Sequence, residues 1–378
     1  MKKKELHVLY IITKLELGGA QKICLSLFNN LKESNHETFL LSGKEGTLAE
    51  SITQTPSIYL LDSLKREVSF WQLVTEIKNF FTVIQHIRNI KKKFPDLIVH
   101  THSTKAGLVG RWAALFAGVA NRIHTVHGFG FHPYQHKLGW LVNYFLELIT
   151  SLITTHYICV SSYDVKVGIK LLPFFSKKYS IIRASVDQEK FIPSKKTFSS
   201  QPFVFGTISC FKKQKNLFDL LYAFKECHSK NPHVILEIIG DGKQREALEQ
   251  WIKENNLSNA VKLHGWQTNV AQFLQQWNAF VLSSLWEGLP CAVVEARLMQ
   301  LPILSYNTGG IHDVVMDGVN GYLYKPKSWQ SLAHGMIALS SNNDLYRTLS
   351  AYHDQLDDFT IDTMIEKHIQ LYQNINTK

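Results

Sequence analysis

The chain alternates short apolar runs with longer stretches in which apolar residues recur every three or four positions. The short runs are typical of strands buried on both faces of a parallel sheet, and the longer stretches are typical of the helices between them. A helix predicted from Ala20 to Lys32, for example, carries Ile23, Leu27 and Leu31 at helical spacing. The predicted strands are Val8–Ile12, Thr38–Leu41, Leu97–Thr101, Ile123–Val126, Tyr157–Val160, Tyr179–Ile182, Phe203–Ile208, Val234–Ile239, Val261–Leu263, Ala279–Leu282, Ile303–Ser305 and Tyr322–Tyr324.

The alternation is interrupted between Ser185 and Pro202 by a polar stretch that is rich in serine and lysine. Such a composition is typical of a linker. We therefore predict an α/β fold with two Rossmann-like, doubly wound domains that face each other across a cleft. The predicted boundaries are 1–190 for the first domain, 191–202 for the linker, 203–360 for the second domain and 361–378 for a C-terminal helix.

Composition limits the classes of protein to consider. The chain has 378 residues, of which 45% are hydrophobic and 19% charged, as in ordinary globular proteins with more than one core. Its five cysteines are scattered without a Cys-x-x-Cys pair, which argues against a disulfide framework or a zinc site and favours a reducing cytoplasm. The first apolar run is too short for a secretory signal, and polar residues interrupt the most apolar segment, Leu138–Ile158. We expect a cytoplasmic protein.

The net charge of +10 is confined to the first half of the chain. Residues 1–193 contain 24 lysines and arginines against 14 acidic residues, whereas residues 194–378 contain 17 of each. This excess predicts that the first domain meets an anionic partner, either a membrane surface or nucleic acid. The alternative for each lysine cluster taken alone is a solvated face that aids solubility.

Two glutamates, Glu287 and Glu295, flank a turn that follows a predicted strand. Gly288 and Pro290 lie in the turn, and a helix is predicted after it. Ligands of open α/β sheets bind at the carboxyl ends of strands, and a carboxylate there can accept hydrogen bonds from both hydroxyls of a diol. The two residues therefore indicate a site for a sugar or a ribose, the alternative being two unrelated solvated carboxylates.

Other predicted strands also end in candidate ligand-binding residues. A lysine before a predicted helix can bind phosphate together with the helix N-terminus, and glycines let the backbone approach a ligand closely. Histidines at strand ends of the first domain can line the site as hydrogen-bonding groups, and no carboxylate or cysteine near them supports zinc. These candidates are Gly18, Gly19, His102, Lys105, His127, Lys212, Lys215, Gly240, Gly242, His264, Gly309 and Gly310.

The segment Ser283–Ile311 resembles the signature of the retaining glycosyltransferases of family four. Both contain a glutamate, a glycine-proline turn, a second glutamate eight residues later and, after the next strand, Asn-Thr-Gly-Gly-Ile. The run His102-Ser103-Thr104-Lys105-Ala106-Gly107 resembles a subset of bacterial members that build surface polysaccharides. The resemblance implies the GT-B fold, with a donor-binding second domain, an acceptor-side first domain and a last helix that crosses back to the first domain.

The resemblance also implies roles for individual residues. Glu287 would bind a hydroxyl of the transferred sugar, Lys215 would neutralise the leaving diphosphate, and His127 would orient the sugar from the first domain. These three are the implied catalytic residues. Glu295 would bind the ribose diol of the nucleotide.

One position departs from the family pattern, because Cys210 aligns with an arginine of the diphosphate-binding loop. Lys212 or Lys213 could supply that charge, although a lysine lacks the planar fork of an arginine. The other implied donor-binding residues are Lys212, Gly240, Gly242, His264, Gly288, Leu289, Gly309 and Gly310. The implied residues on the acceptor side of the cleft are Gly18, Gly19, His102 and Lys105.

These features predict a retaining, metal-independent glycosyltransferase of bacterial surface polysaccharide synthesis. Its donor would be a nucleoside-diphosphate sugar, with UDP as the expected nucleotide, and its acceptor a glycan or a polyprenyl-linked glycan.

The basic first domain and an apolar helix predicted at Leu138–Ile153 suggest peripheral contact with an anionic membrane at its inner face. The alternative for the helix is a buried packing surface. No metal cofactor is expected, since no Asp-x-Asp motif is present. The alternatives are a sugar-nucleotide epimerase or hydrolase on the same fold and, more remotely, a basic nucleic-acid-binding protein.

Overall fold

The computed structural model of the chain describes residues 5–16, 18–46, 48–49, 52, 55–61, 73–193 and 202–376. The chain folds into two compact units. Met1–Ser185 and Asp358–Lys378 make up the first unit, and Val186–Asp357 make up the second. Residues 194–201 of the predicted linker lie outside the described residues.

The first unit is built on a parallel sheet. Its described strands are β1 (His7–Ile12), β2 (Glu37–Gly43), β3 (Ile58–Leu61), β4 (Ile98–His102), β5 (Asn121–Val126), β6 (His156–Cys159) and β7 (Tyr179–Ile181). They are ordered β3-β2-β1-β4-β5-β6-β7 across the sheet. Between them in sequence lie α1 (Gly19–Glu33), α2 (Leu73–Lys93), α3 (Thr104–Phe116), α4 (Lys137–Ile153) and α5 (Ser162–Leu171). Residues 8–12 are fully buried, as expected for a central strand covered on both faces.

The second unit repeats this architecture. Its described strands are β8 (Phe203–Ile208), β9 (Val234–Ile239), β10 (Val261–Gly265), β11 (Ala279–Leu282), β12 (Ile303–Tyr306) and β13 (Gly321–Tyr324). They form a parallel sheet in the order β10-β9-β8-β11-β12-β13. Its helices are α6 (Leu217–Lys230), α7 (Arg245–Glu254), α8 (Ala271–Leu274), α9 (Cys291–Leu298), α10 (Trp329–Ser341) and α11 (Asn343–Ala351).

The last helix, α12 (Ile361–Asn376), belongs to the first unit. The hydroxyl oxygen of Tyr372 lies 2.6 Å from Nδ1 of His100 on β4 and 3.3 Å from the hydroxyl oxygen of Tyr10 on β1. Nδ2 of Asn121 donates to Oδ1 of Asn376 at 2.7 Å. Side-chain hydrogen bonds therefore join this helix to three strands of the first sheet.

The predicted α/β class with doubly wound parallel sheets is confirmed, and each predicted strand is present with ends that differ by at most two residues. The sequence did not predict β3. Among the described strands its four residues pair with β2 alone, at the edge of the sheet, and their side chains are half-buried. A short edge strand leaves a weaker apolar signal than a central one.

Each sheet has one position at which the strand order reverses. In the first sheet it lies between β1 and β4, and in the second between β8 and β11. Loops that leave the carboxyl ends of such strand pairs diverge and leave a crevice in which ligands of this fold class bind. In the first unit the hydroxyl oxygens of Thr13 and Ser103, one after each strand of the pair, lie 3.1 Å apart.

Helix α4 is present as predicted, but its polar face points inward. Glu147, Thr150 and Ser151 are buried, and both carboxylate oxygens of Glu147 accept from the guanidinium of the buried Arg111, at 2.9 and 2.8 Å. Apart from Lys137 at its start, the exposed side chains of the helix are apolar instead: Leu138, Leu141, Val142, Phe145, Leu146, Ile149 and Leu152. This is the reverse of the usual amphipathic helix of a globular protein.

Candidate active site

The site is centred on the loops after β8 and β11, at the strand-order reversal of the second sheet. After β8, residues Lys213–Lys215 form a single 3₁₀ turn, and Asn216 adopts a left-handed conformation with φ 48° before α6 begins. Asparagine tolerates this conformation better than most residues. The left-handed Asn216 ends the 3₁₀ turn at Lys215. Lys215 lies next to the loop that follows β11.

Lys215 and Glu287 form an ion pair at this place. Nζ of Lys215 lies 2.5 Å from Oε1 of Glu287, and the two side chains are only 14% and 8% exposed. A pair so little exposed is screened less by solvent than a surface pair. The sequence assigned both residues to the site, and the structure brings them into direct contact although 72 positions separate them.

Backbone and amide contacts hold the same two loops together. Nε2 of Gln214 donates to the carbonyl oxygen of Trp286 at 2.7 Å, and the amide of Leu285 donates to the carbonyl oxygen of Gln214 at 2.8 Å. The hydroxyl of Ser283 donates to the carbonyl oxygen of Lys215 at 2.9 Å. These bonds fix the position of the ion pair, and sequence analysis did not single out Gln214, since a lone glutamine in a basic loop gives no signal.

The glycines after β12 support Glu287 from the other side. Gly309 has φ +56°, and a Cβ atom at this residue would lie 2.0 Å from the carbonyl oxygen of Glu287. The amide of Gly310 donates to the carbonyl oxygen of Gly288 at 2.6 Å, and Leu289 is buried. Close packing of backbone on backbone therefore accounts for Gly309, and it places the Asn-Thr-Gly-Gly-Ile run against the Glu287 loop.

Glu295 lies in the second turn of α9, the helix that begins at Cys291. Its side chain is partly buried. The helix itself is anchored by the buried Arg297, whose Nε donates to Oδ2 of Asp354 at 2.7 Å and whose Nη1 donates to the carbonyl oxygen of Leu301 at the same distance. The structure thus places Glu295 on a well-anchored helix that starts from the Glu287 loop.

The loop after β9 contains two of the predicted donor-binding residues, Gly240 and Gly242. Their φ angles are +127° and +154°. A Cβ atom would lie 1.9 Å from the carbonyl oxygen of Ser209 in the first case and 2.7 Å from that of Phe211 in the second. Both glycines therefore let this loop pack against the loop after β8, which is a structural reason for their presence independent of any ligand.

Two further predicted donor-side residues lie near these loops. Lys212 precedes the 3₁₀ turn, and its carbonyl oxygen accepts from the amide of Lys215 at 2.9 Å. His264, near the end of β10, has its ring centroid 4.8 Å from that of Phe273, and its Nε2 lies 3.5 Å from Oε2 of Glu237. His264 therefore packs against Phe273, and this contact explains its position without a ligand.

In the first unit, the predicted residues follow β1, β4 and β5. Helix α1 begins at Gly19, and a Cβ atom at Gly18 would lie 2.4 Å from the side-chain oxygen of Gln21. Lys105 forms an ion pair with Glu76 of α2 at 2.8 Å, so its charge is offset within the unit. Nδ1 of His102 lies 3.0 Å from Nε2 of His127.

His102 and His127, two of the strand-end histidines that sequence analysis singled out, belong to a buried cluster. Sequence analysis did not foresee that His368 of α12 joins it. The ring centroids of His100 and His102 are 4.4 Å apart, and those of His100 and His368 are 5.8 Å apart. Burial lowers the pKa of His127 to about 4, and the nearby His368 contributes to the shift. Burial likewise lowers the pKa of His102 well below its usual range, with His100 as the next cause. The cluster is therefore neutral at neutral pH.

No group of three or more histidine, cysteine, aspartate or glutamate side chains within the described ranges is arranged to hold a metal ion. The second unit has an ammonium group, two carboxylates and glycine-rich backbone in the loops and the helix that follow its strands. The first unit has its own cluster of neutral imidazoles. Such groups can bind phosphate and sugar hydroxyls through charge-assisted and neutral hydrogen bonds.

Both halves of the chain match models of known protein families. Residues 17–190 match the family described as Glycosyltransferase Family 4, and residues 188–355 match the one described as Glycosyl transferases group 1. The chain is 29% identical over 376 residues to the UDP-Gal:alpha-D-GlcNAc-diphosphoundecaprenol alpha-1,3-galactosyltransferase of Escherichia coli, with 93% of this chain and 95% of the relative covered. It is 23% identical over 301 residues to the capsular polysaccharide biosynthesis glycosyltransferase CapM of Staphylococcus aureus, with 76% of each covered.

Solved structures show the same fold. The structure of Anabaena HepE in complex with UDP and glucose matches with a TM-score of 0.81 at 17% identity, and the match covers 98% of this chain and 100% of HepE. A sucrose-phosphate synthase from Thermosynechococcus elongatus matches with a TM-score of 0.82 at 16% identity, over 99% of this chain and 100% of the synthase. The predicted GT-B fold and the predicted resemblance are confirmed: the chain belongs to glycosyltransferase family four and is a glycosyltransferase.

Proposed function

We propose that the enzyme transfers a sugar from a UDP-sugar to a polyprenyl-linked glycan, with retention of anomeric configuration and without a metal ion, in the synthesis of a bacterial surface polysaccharide. The observation that carries the proposal is the Lys215–Glu287 pair at the strand-order reversal of the second sheet. Residues 203–360 would bind the donor, and residues 1–190, with the last helix, would bind the acceptor.

Lys215 is suited to stabilise the leaving group. When the bond between the anomeric carbon and the diphosphate oxygen breaks, negative charge accumulates on the diphosphate, and a fixed ammonium group lowers the energy of that state. In the structure Glu287 balances this ammonium at 2.5 Å, so the cation is held in place before the donor arrives. A donor phosphate would then share Lys215 with Glu287.

The other groups complete the proposed reaction. Glu287 would accept a hydrogen bond from a sugar hydroxyl, Glu295 would accept from the ribose diol, and His127 would contact the sugar. The acceptor hydroxyl oxygen forms its bond to the anomeric carbon on the face that the diphosphate leaves. Its proton passes to the departing phosphate oxygen, so no separate base is required.

The identity of the donor and acceptor classes rests on the relatives. The Escherichia coli relative is named for UDP-Gal and a GlcNAc-diphosphoundecaprenol acceptor, and HepE was solved with UDP and glucose. A sugar-nucleotide epimerase or hydrolase is less well supported, because none of the relatives named above has such an activity in its name. A nucleic-acid-binding role has no support among these relatives either.

We expect UDP to stabilise the purified protein in the presence of EDTA, and GDP, ADP and TDP to do so much less. At a free UDP concentration about 100-fold above Kd, binding stabilises the folded state by about 2.7 kcal/mol. Glu295→Ala should weaken UDP binding at least about tenfold, because it removes a charged hydrogen-bond acceptor. Thermal shift and calorimetric titration measure both effects.

Glu226→Ala is the matched control for the nucleotide experiment, since Glu226 is an exposed glutamate on α6 of the same unit. It should leave UDP affinity unchanged. Equal stabilisation by all four nucleotides, or a Glu295→Ala variant with unaltered affinity, would contradict the donor-site assignment.

The proposal includes docking of α4 on an anionic bilayer surface. None of the helices in the described residues is long and apolar enough to cross a membrane. The exposed face of α4 is apolar from Leu138, 64% exposed, to Leu152, 60% exposed. The polar face of this helix is held inward by the buried Arg111–Glu147 pair, so turning the apolar face inward would break that pair. An exposed apolar helix face of this size is typical of interfacial binding.

Positive charge lies beside this face. The exposed Lys166 and Lys170 lie on α5, and the hydroxyl of Tyr144 on α4 donates to the carbonyl oxygen of Leu171 at the end of α5 at 3.1 Å. Lysines near an apolar helix attract anionic headgroups, by about 1 kcal/mol for each basic residue at the surface. An anionic bilayer therefore fits both the apolar and the charged part of this surface.

We expect the wild-type protein to float with vesicles that contain anionic phospholipid at low salt. The double variant Leu141→Ser/Phe145→Ser should lose most of this binding, since it removes apolar contact area, and Lys166→Gln/Lys170→Gln should make it weaker and less dependent on salt. Val319→Ser, which alters an exposed apolar residue of the second unit, is the control and should float like wild type. Absence of wild-type binding to anionic vesicles would contradict the docking surface.

A further inference from the structure

The contact between His102 and His127 has a direction that the surrounding atoms determine. Nδ1 of His102 and Nε2 of His127 are 3.0 Å apart, which is a hydrogen-bond distance. Both rings are neutral at neutral pH, so each has one N–H and one lone pair. In one arrangement His102 donates to His127, and in the other His127 donates to His102.

The second ring nitrogen of His102 distinguishes the two arrangements. Nε2 of His102 is buried and has no hydrogen-bond partner among the described residues, and the residue is fully buried. If His127 donated, this Nε2 would have to carry a proton, which would leave a buried N–H without an acceptor. Unpaired buried N–H groups are rarer in proteins than unpaired acceptors, because the lost hydrogen bond to water is not replaced. A lone pair on Nε2 of His102 is therefore favoured.

In His368, of the same cluster, a carbonyl oxygen determines which ring nitrogen carries the proton. Its Nδ1 lies 2.7 Å from the carbonyl oxygen of Met364, which can only accept, so Nδ1 carries the proton. Its Nε2 then carries a lone pair and no proton. Like Nε2 of His102, this atom is buried without a hydrogen-bond partner among the described residues. The cluster thus already contains one neutral histidine with a proton on Nδ1 and an unpaired Nε2.

We propose that His102 is a positioning residue that donates its Nδ1 proton to Nε2 of His127 and thereby keeps the proton of His127 on Nδ1. His127 makes no other hydrogen bond to the described residues, so its Nδ1–H is available to a ligand. The consequence for the reaction rests on the proposed function: His127 presents an N–H donor, and the sugar atom that it contacts is a hydroxyl oxygen that accepts.

This assignment limits what His127 can do chemically. With Nε2 accepting from His102 and Nδ1 already protonated, neither nitrogen can take a proton from the acceptor substrate. The lowered pKa of His127 also prevents a second proton from binding at neutral pH. His127 is then a neutral hydrogen-bond donor to the donor sugar, in agreement with a reaction in which the leaving phosphate takes the proton.

The test measures the proton positions directly, by ¹⁵N NMR of the full chain labelled at histidine, since a ring nitrogen with a proton resonates far upfield of one with a lone pair. Comparison with His127→Gln assigns the signals of His127. We expect Nδ1 of His127 in the protonated class and Nε2 in the lone-pair class, in the absence of substrate. The reverse assignment in the wild-type protein would overturn the proposal.

Two substitutions at His102 extend the test. In His102→Asp the carboxylate can only accept, so the proton of His127 should move to Nε2, whereas the amide of His102→Asn can still donate and should keep it on Nδ1. Transfer by His102→Asp should fall about 10- to 100-fold in kcat with UDP affinity unchanged, and His102→Asn should recover most of the loss. The same two changes at His334, an exposed histidine of the second unit, should alter neither quantity.

The outcomes separate the two claims. If His102→Asp leaves the proton of His127 on Nδ1, His102 does not position it and the proposal fails. If the proton moves as expected while kcat for sugar transfer does not change, the proton placement stands and the proposed contact of His127 with the sugar is wrong. Because the NMR signal needs no substrate, an inactive enzyme would not affect the first conclusion.

Discussion

Replacing Lys215 by alanine should lower kcat for sugar transfer by about 100- to 1,000-fold. This is the range observed when a single preorganised group that stabilises transition-state charge is removed. The effect should be large because the Lys215 ammonium is little exposed and fixed by Glu287 at 2.5 Å, so water cannot easily replace it. Initial rates with a saturating UDP-sugar and acceptor measure the change.

Lys230→Ala is the matched control, because Lys230 is an exposed lysine at the end of α6 in the same unit. We expect it to retain kcat within about twofold, in line with the small energies of solvent-exposed charges. Glu287→Gln should also be strongly impaired, and the Lys215→Ala/Glu287→Gln double variant should be little worse than either single variant, since paired residues act as a unit. Lys215→Ala activity within a few-fold of wild type would mean that another cation binds the diphosphate, with Lys212 the first candidate.

The first unit should lose stability steeply as the pH falls from about 6.5 towards 4. Burial lowers the pKa of His127 and of His368 to about 4 in the folded state, compared with about 6.5 for an unfolded histidine. Between these values the unfolded chain binds these protons and the folded chain does not. The stabilising effect is therefore complete above about pH 6.5 and is lost as the pH falls. Each such histidine contributes up to about 1.4 kcal/mol per pH unit, so two give on the order of 2–3 kcal/mol per pH unit.

Urea unfolding of the full chain at several pH values measures this dependence, and hydrogen exchange of the β4 amides assigns it to the first unit. His334→Gln should leave the slope unchanged, since that histidine is exposed. His368→Leu should reduce the pH slope of the free energy of unfolding by the equivalent of about one proton, even if it lowers the stability at pH 7. A free energy of unfolding that stays constant between pH 7 and pH 5 would contradict the neutral, buried state of the cluster.

The strands other than β3 could be predicted from the sequence because both sheets are buried on two faces, which turns each central strand into a continuous apolar run. The edge strand β3 was missed because its side chains are half-buried and, within the part of the chain that the structure describes, it pairs with β2 alone. The candidate residues Lys215 and Glu287 were found separately, from their positions after strands. Their direct contact could not be predicted, since it depends on the left-handed Asn216 and on the amide of Gln214.

The apolar pattern of α4 was visible in the sequence, but its orientation was not. Periodicity shows that a helix has an apolar face and does not show what covers it. The orientation follows from Arg111 on α3, which binds Glu147 and holds the polar face inward. The histidine cluster was hidden for a similar reason: His368 and Tyr372 come from the last helix, more than 260 positions after His100, and no local pattern connects them.

Retaining, metal-independent transfer is tested most directly by the anomeric configuration of the product. The product is formed from a ¹³C-labelled α-linked UDP-sugar and an undecaprenyl-diphosphate-linked GlcNAc acceptor, in buffer with EDTA. We expect acceptor-dependent release of UDP and a new α-linkage, detected by NMR at the labelled anomeric carbon. A β-linked product would contradict retention, and consumption of donor at the same rate without acceptor would mean that the enzyme is a hydrolase or an epimerase instead of a glycosyltransferase.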